Sequence, residues 1–316
     1  MSRIIYLKRI LIGVAVLLAG VIYWLNISSP SNYPSKTIIN IRNGAGLLEV
    51  SKTLEKNNII RSSFWFRTAA IVLGGERGLQ AGDYYLSKRE NAFKLASRIV
   101  RGKKNIETIR VTIPEGFTNL EIGALFDKRF PRFDQTEFLE LAKEGYMFPD
   151  TYFIEISSNA STTINLLNNN FTKKLASLEG EIASSSRSFG DIIKMASILE
   201  EEAITSVDRK IISGILWKRM DIGMALQVDA TLKYITGRGS AELTKDDLKL
   251  NSPYNSYNRR GLPPTPISNP GLDSIEAALR PQKSDYLYFL TSDDGVMHYA
   301  KSFEEHKRNK EKYIKN

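Results

Sequence analysis

The strongest constraint on this chain is the run over residues 10–25, which holds only apolar, aromatic and small residues. Asn26 and Ile27 extend it to about the length that crosses the hydrocarbon core of a bilayer. A helix that is apolar on every face has no polar side to turn toward water, so it belongs in lipid rather than on the surface of a domain. Arg3, Lys8 and Arg9 precede the run. The positive-inside rule holds such charges in the cytoplasm and sends the chain beyond Ile27 across, with Tyr23 and Trp24 at the far interface. A cleaved signal peptide would need a small-x-small site after the run, and none stands there. The expectation is a cytoplasmic stub over 1–9, a retained single-pass transmembrane helix in the cytoplasmic (inner) membrane over 10–27, and a linker over 28–35 with Pro30 and Pro34. The remainder then works outside, in the periplasm or wall space.

The rest of the 316-residue chain is long enough for two compact units. It has no Cys, which excludes disulfides, thiolate zinc sites and a cysteine nucleophile. The net charge of +9 suits anionic partners such as wall polymers or lipid headgroups. Nucleic acid is not expected, because no basic helix or basic-aromatic groove pattern stands out. His298 and His306 are the two histidines, and no spacing pairs them with carboxylates as a metal site. No Gly-rich phosphate loop follows a strand and no Gly-x-Ser-x-Gly elbow occurs. No metal or cofactor is expected, which leaves acidic residues and tyrosines as candidate catalytic groups.

Residues 36–112 alternate short strands with amphipathic helices and read as a small α+β unit. An extended stretch over 37–41 leads into Leu47, Val50, Ser51 and Leu54 at helical spacing. Ser62 and Ser63 can cap a second helix, and Asn91 a third that stops at Gly102. The alternation over 107–113 reads as a strand. The acids here are isolated, and Phe64, Trp65 and Phe66 read as core, so this unit is a binding or spacer module.

Farther along, Asp191 reads as the N-cap of a helix whose Ile192, Met195, Ala196, Leu199 and Ala203 recur at i, i+3, i+4 and i+7. Glu200, Glu201 and Glu202 interrupt its last turns. At about 100° per residue, Glu201 falls opposite the apolar stripe and reads as solvated, whereas Glu200 and Glu202 fall on its flanks. A carboxyl at an apolar boundary is desolvated, which raises its pKa toward that of a general acid. Periodicity leaves Glu200 and Glu202 equally open, and a solvated acidic edge countered by Arg209 and Lys210 is the plainer reading of such a triplet.

Two aromatic loops follow other elements: 144–152 after a short helix over 136–143, and 252–257 ahead of the rigid Gly261-Leu262-Pro263-Pro264-Thr265-Pro266. Tyr and Asn on fixed loops suit carbohydrate, whose hydroxyls want planar hydrogen-bonding groups and whose apolar faces want rings. Packing within turns explains them as well. Ser292-Asp293-Asp294-Gly295 between 286–291 and 296–299 signals a hairpin, and Ser302 with Glu305 offers a capping box for a basic terminal helix.

Six ordered stretches together resemble the endolytic murein transglycosylase family, the YceG-like proteins. They are IPEGFT at 113–118, EGYMFPDTY at 144–152, ASILEEEA at 196–203, GMALQVDAT at 223–231, SPYNSY with GLPPTPI, and the DYLYF tail that ends at His306. The resemblance implies a LysM-like subdomain over 36–112, a catalytic α+β lytic transglycosylase domain over 113–316, and peptidoglycan glycan strands as substrate. It implies cleavage of the MurNAc-GlcNAc bond without water, leaving 1,6-anhydroMurNAc ends and terminating nascent strands. Wall synthases such as penicillin-binding proteins are the implied partners. The family's catalytic glutamate, the second in its pattern, falls on Glu202 as general acid/base, with Glu200 supporting it. Gln227, Asp229, Tyr254, Asn255 and Tyr257 match polar positions of the family and are expected to bind substrate. The chain departs from the pattern at Lys218, Glu201, Ala230 and Thr265, where Asn, Lys, Pro and Gly are usual. A non-catalytic peptidoglycan-binding scaffold stands as one alternative. The other is a water-using glycosidase with Asp229 or Asp150 as a second carboxylate.

Overall fold

The computed structural model describes residues 2–75, 78–104 and 108–314. Its strands form separate two-stranded sheets among many helices, an α+β arrangement. The chain divides into one compact unit of Met1–Ile109 with Glu155–Ser157 and a second of Arg110–Ile154 with Ser158–Asn316.

Helix α1 (Ser2–Ile27) opens the first unit. A helix forms where one was expected, but among the described residues no helix is long and apolar enough to cross a membrane. This overturns the expected single-pass anchor over 10–27, and the inner-membrane placement that depended on it.

In the same unit, β1 (Thr37–Ile41) pairs antiparallel with β2 (Gly82–Leu86), Thr37 opposite Leu86 and Ile41 opposite Gly82. Helices α2 (Leu47–Lys56) and α3 (Ser63–Val72) run between the strands, and α4 (Ala92–Val100) follows them. Ser62 and Asn91 cap α3 and α4, accepting from Trp65 N at 3.5 Å and Lys94 N at 2.8 Å. Phe66, Tyr84, Leu86, Leu95 and Ile99 form a fully buried centre. Of the aromatic triplet read as core, Phe66 is buried while Phe64 is exposed, because successive helical residues point about 100° apart.

The second unit is assembled around one helix. Strand β3 (Thr108–Thr112) pairs with β4 (Thr151–Glu155), and between them lie α5 (Asn119–Asp127) and α6 (Gln135–Leu141). Then come α7 (Ala160–Leu175), α8 (Glu179–Ser184), α9 (Phe189–Glu202), α10 (Ser206–Asp221) and α11 (Asp229–Thr236). A long loop precedes α12 (Leu272–Leu279), the hairpin β5 (Tyr288–Thr291) and β6 (Met297–Ala300), and α13 (Phe303–Tyr313). Helix α9 packs against α10, α11 and α12, and Ile192, Ile193, Met195, Ala196, Ser197, Ile198 and Leu199 are all fully buried. Its N-cap is Ser188, which accepts from Asp191 N at 3.1 Å, so the helix starts a turn earlier than Asp191 suggests.

The loop before α12 is pinned to α9 and to two other loops. Ile267 N donates to Ser197 Oγ at 3.0 Å, and Ser268 Oγ donates to Ser197 O at 3.2 Å. Two residues on, the fully buried Asn269 accepts at Oδ1 from Gly145 N (3.0 Å) and Met147 N (2.8 Å). Its Nδ2 faces Phe117 O (2.8 Å), Asn119 Oδ1 (3.0 Å) and Glu144 Oε1 (3.0 Å). Gly145 has a φ of +89°, and a Cβ there would lie 2.5 Å from Pro266 and 2.9 Å from Ile193, so only glycine fits. Replacing Asn269 by Ala strips partners from buried backbone groups in both of the loops it reaches, at Phe117 and at Gly145 and Met147. Asn269→Ala should therefore destabilise the chain by about 2–4 kcal/mol in urea unfolding; a loss under about 0.5 kcal/mol would show that the loops hold without it.

Candidate active site

Glu202 is the last residue of α9, and the chain turns away at Ala203. The end of the helix therefore places a carboxyl against the start of α11, where Ala230 N lies 3.4 Å from Glu202 Oε1. Burial pushes the Glu202 pKa up to about 7, the charges of Asp229 and Glu201 add to the rise, and the Ala230 N–H and Arg219 oppose it. A carboxyl poised there donates a proton at neutral pH and takes it back.

The carboxyl opens onto a groove of about 790 Å³ lined by Glu201, Arg219, Gln227, Asp229, Tyr257, Tyr288 and His306, among others. Gln227 is exposed at a φ of +50°, a strained conformation for a residue with a side chain. Ser256 holds it there: Gln227 N donates to Ser256 O at 3.1 Å and Val228 N to Ser256 Oγ at 3.0 Å. Tyr257 OH donates to Asp229 Oδ1 at 2.5 Å. Burial and that carboxylate push the Tyr257 hydroxyl pKa far up, so it stays a donor.

The other expected site residues are placed differently. Glu200 accepts from Arg209 Nη2 and Gly271 N, both at 2.8 Å, and its side chain is almost wholly buried outside the groove. Asn255 is fully buried, donating to Leu248 O and Leu250 O and accepting from Tyr257 N at 3.0 Å. Tyr254 lies against Tyr234 in an adjoining hollow, ring centroids 5.2 Å apart. Asp150 is tied to Lys174 at 3.0 Å and Asn170 at 3.1 Å, which hold its pKa down, and it does not line the groove. Glu201 is not the solvated residue the helical wheel made it: its side chain is 18% exposed and meets Lys233 Nζ at 2.7 Å. The wheel assumes one face in water, whereas α9 is wrapped by α10, α11 and α12.

Sequence reasoning also passed over groove residues that come from distant segments. Arg219 on α10 is buried, donates to Leu287 O at 2.7 Å and sits 5.2 Å above the Tyr288 ring. His306 stacks on Tyr288 at 5.4 Å, and burial first, then Arg219 and Lys310, push its pKa down. Their signal in the chain was only a basic residue at a helix end and a histidine in a basic tail.

Fold and groove define an α+β protein with a carboxyl set for proton transfer at the end of α9 beside an open cleft. The chain belongs to the YceG-like family, whose model it matches over residues 39–312. It is similar to a Bacillus subtilis (strain 168) protein named endolytic murein transglycosylase, 30% identical over 324 residues, covering 93% of this chain and 89% of that one. A Streptococcus pneumoniae serotype 2 protein of the same name is 27% identical over 328 residues, covering 90% of this chain and 59% of its own length. The crystal structure of a YceG-like protein from Listeria monocytogenes aligns with a TM-score of 0.59 at 29% identity, over 87% of this chain and 99% of that one.

The Glu202 pKa gives a test that needs no substrate. The unfolded carboxyl titrates near 4.5 and the folded one near 7, so between these values only the folded chain keeps the proton, and stability falls as pH rises. Glu202→Gln removes that slope. Urea midpoints should show the variant gaining on the parent as pH rises through this window, with a level difference on either side; a gap that stays constant would mean that Glu202 is ionised throughout.

Proposed function

We propose that this protein is an endolytic lytic transglycosylase of peptidoglycan, with Glu202 as its general acid/base. The observation that carries the reading is the Glu202 carboxyl, its pKa pushed up to about 7, on the wall of an open groove of about 790 Å³. Protonated Glu202 gives its proton to the oxygen between N-acetylmuramic acid and N-acetylglucosamine as the bond from that oxygen to C1 breaks. The carboxylate then takes the proton of the muramyl C6 hydroxyl while that oxygen bonds to C1. An anhydro end forms, no water is consumed, and Glu202 is protonated again.

The nucleophile belongs to the substrate, so a second protein carboxylate is not required. Asp229, held by Tyr257, faces the positive charge that develops on the sugar ring. Gln227 offers its amide to sugar hydroxyls, and Tyr257 offers its ring and hydroxyl. Glu200 and Asn255 are positioning residues: the first fixes the end of α9 to Arg209 and Gly271, and the second fixes the loop that carries Tyr257.

The names of the Bacillus and Streptococcus relatives support this activity and its endolytic character. Such a substrate puts the working domain outside the cytoplasm. In this reading residues 113–316 form the catalytic domain and 36–112 a LysM-like module. Cleavage ends nascent strands beside the synthases that make them, a role carried by the family resemblance.

Incubation of the chain with uncrosslinked glycan strands should yield 1,6-anhydromuramyl ends by mass spectrometry, and Glu202→Gln should lower the rate at least about a hundredfold. Reducing ends would instead identify a water-using glycosidase. Glycan binding without any product would identify a scaffold. Loss of activity in Glu200→Gln but not in Glu202→Gln would move the acid to Glu200.

A further inference from the structure

We propose that the groove continues past Glu202 into a second subsite, floored by Tyr234 and Tyr254 and rimmed by Lys194, that holds a further sugar of the strand and the carboxylate-bearing substituent on it. The proposal rests on reading the Glu202 groove as a glycan site.

Three hollows of the second unit lie in a row, each sharing lining residues with the next. The groove over Glu202 shares Glu201, Ala230 and Lys233 with a smaller hollow beside it. That hollow shares Thr118, Leu120 and Tyr234 with the next one, which Tyr254, Glu144 and Lys194 also line. The Glu201–Lys233 ion pair stands where the first two meet. Its lysine side chain is 56% exposed on that boundary.

The far hollow has the chemistry of a sugar seat. The Tyr234 and Tyr254 rings meet at 44°, which presents two apolar faces of different orientation. A pyranose stacks its own apolar face on such a ring while its hydroxyls reach polar groups at the edge. Those groups are present: Tyr254 OH and Thr265 Oγ1 lie 2.9 Å apart, and the Glu144 carboxyl is held from behind by Asn119 N at 2.9 Å and Asn269 Nδ2 at 3.0 Å. Lys194 is bound only loosely to Asp191, at 3.6 Å, and its cation is available to an anionic substituent. An enzyme that cuts within a strand must hold sugars on both sides of the scissile bond, and a groove ending at Glu202 would hold only one side.

The test is calorimetric binding to the full chain carrying Glu202→Gln, with a disaccharide and with a longer uncrosslinked glycan oligomer that keeps its peptide stems. The oligomer should bind at least about tenfold more tightly than the disaccharide. Tyr254→Ala should remove most of that gain and change disaccharide binding by less than about twofold. Tyr254 packs against the core, so Lys194→Ala on the rim of α9 provides the same measurement if the tyrosine variant does not fold. An oligomer that binds no better than the disaccharide, or variants that weaken both ligands equally, would overturn the second subsite and leave the Glu202 groove standing. Failure of both ligands to bind the Glu202→Gln chain would overturn both readings.

Discussion

The end of α9 can hold a proton in place only if the loops packed around it are fixed, and those loops converge on the amide of Asn269. A buried amide left without partners would cost the chain its full desolvation, so its position is set by the groups that satisfy it. Those groups lie in the entrance to α5 at Phe117 and Asn119, and in the turn at Glu144, Gly145 and Met147. Ile267 and Ser268, just before it, bond to Ser197 in the middle of α9. One side chain thus joins three chain segments to the helix that ends in Glu202. The glycine at 145 follows from the same closeness, since Pro266 and Ile193 leave no room for a Cβ.

With that frame fixed, the Glu202 carboxyl is governed by a balance of local charges. It sits at the C-terminal end of its own helix, where unsatisfied carbonyls disfavour an anion, and at the N-terminal turn of α11, where N–H groups favour one. The single N–H that reaches it, from Ala230, does so at a long 3.4 Å. Burial and Asp229 therefore prevail, and the proton is held to about pH 7. Glu200, two residues earlier, receives two 2.8 Å bonds from Arg209 and Gly271. Two flanking glutamates of one helix thus meet different partners: Glu202 faces the groove with one long contact, and Glu200 is tied by two short bonds into the frame.

Local signals were legible where local physics decides. The Ser62 and Asn91 caps, the hairpin at 288–300 and the helical run of α9 follow from residues within a turn of one another. The wheel also set Glu200 and Glu202 apart from Glu201, but it could not choose between them, because the choice is made by Arg209, Gly271 and Ala230 from other elements. Its placement of Glu201 in water failed for the same reason: the far side of α9 faces α11, not solvent. Asn255 looked like a groove residue because Asn in a tyrosine-rich loop suits sugar, yet two backbone carbonyls claim its amide. Asn269 escaped notice because an Asn before a Pro reads as an ordinary turn. Arg219, Tyr288 and His306 come from α10, β5 and α13, so no spacing in the chain announces their meeting.

The acid at 201 shows how a departure from the family pattern is absorbed. A second carboxylate beside Glu202 raises its pKa further and, if left unpaired at that degree of burial, would carry a desolvation cost of its own. Lys233 opposes both effects by meeting Glu201 at 2.7 Å. The pair is charge-neutral from a short distance, so Glu201 ranks behind burial and Asp229 in setting the Glu202 pKa.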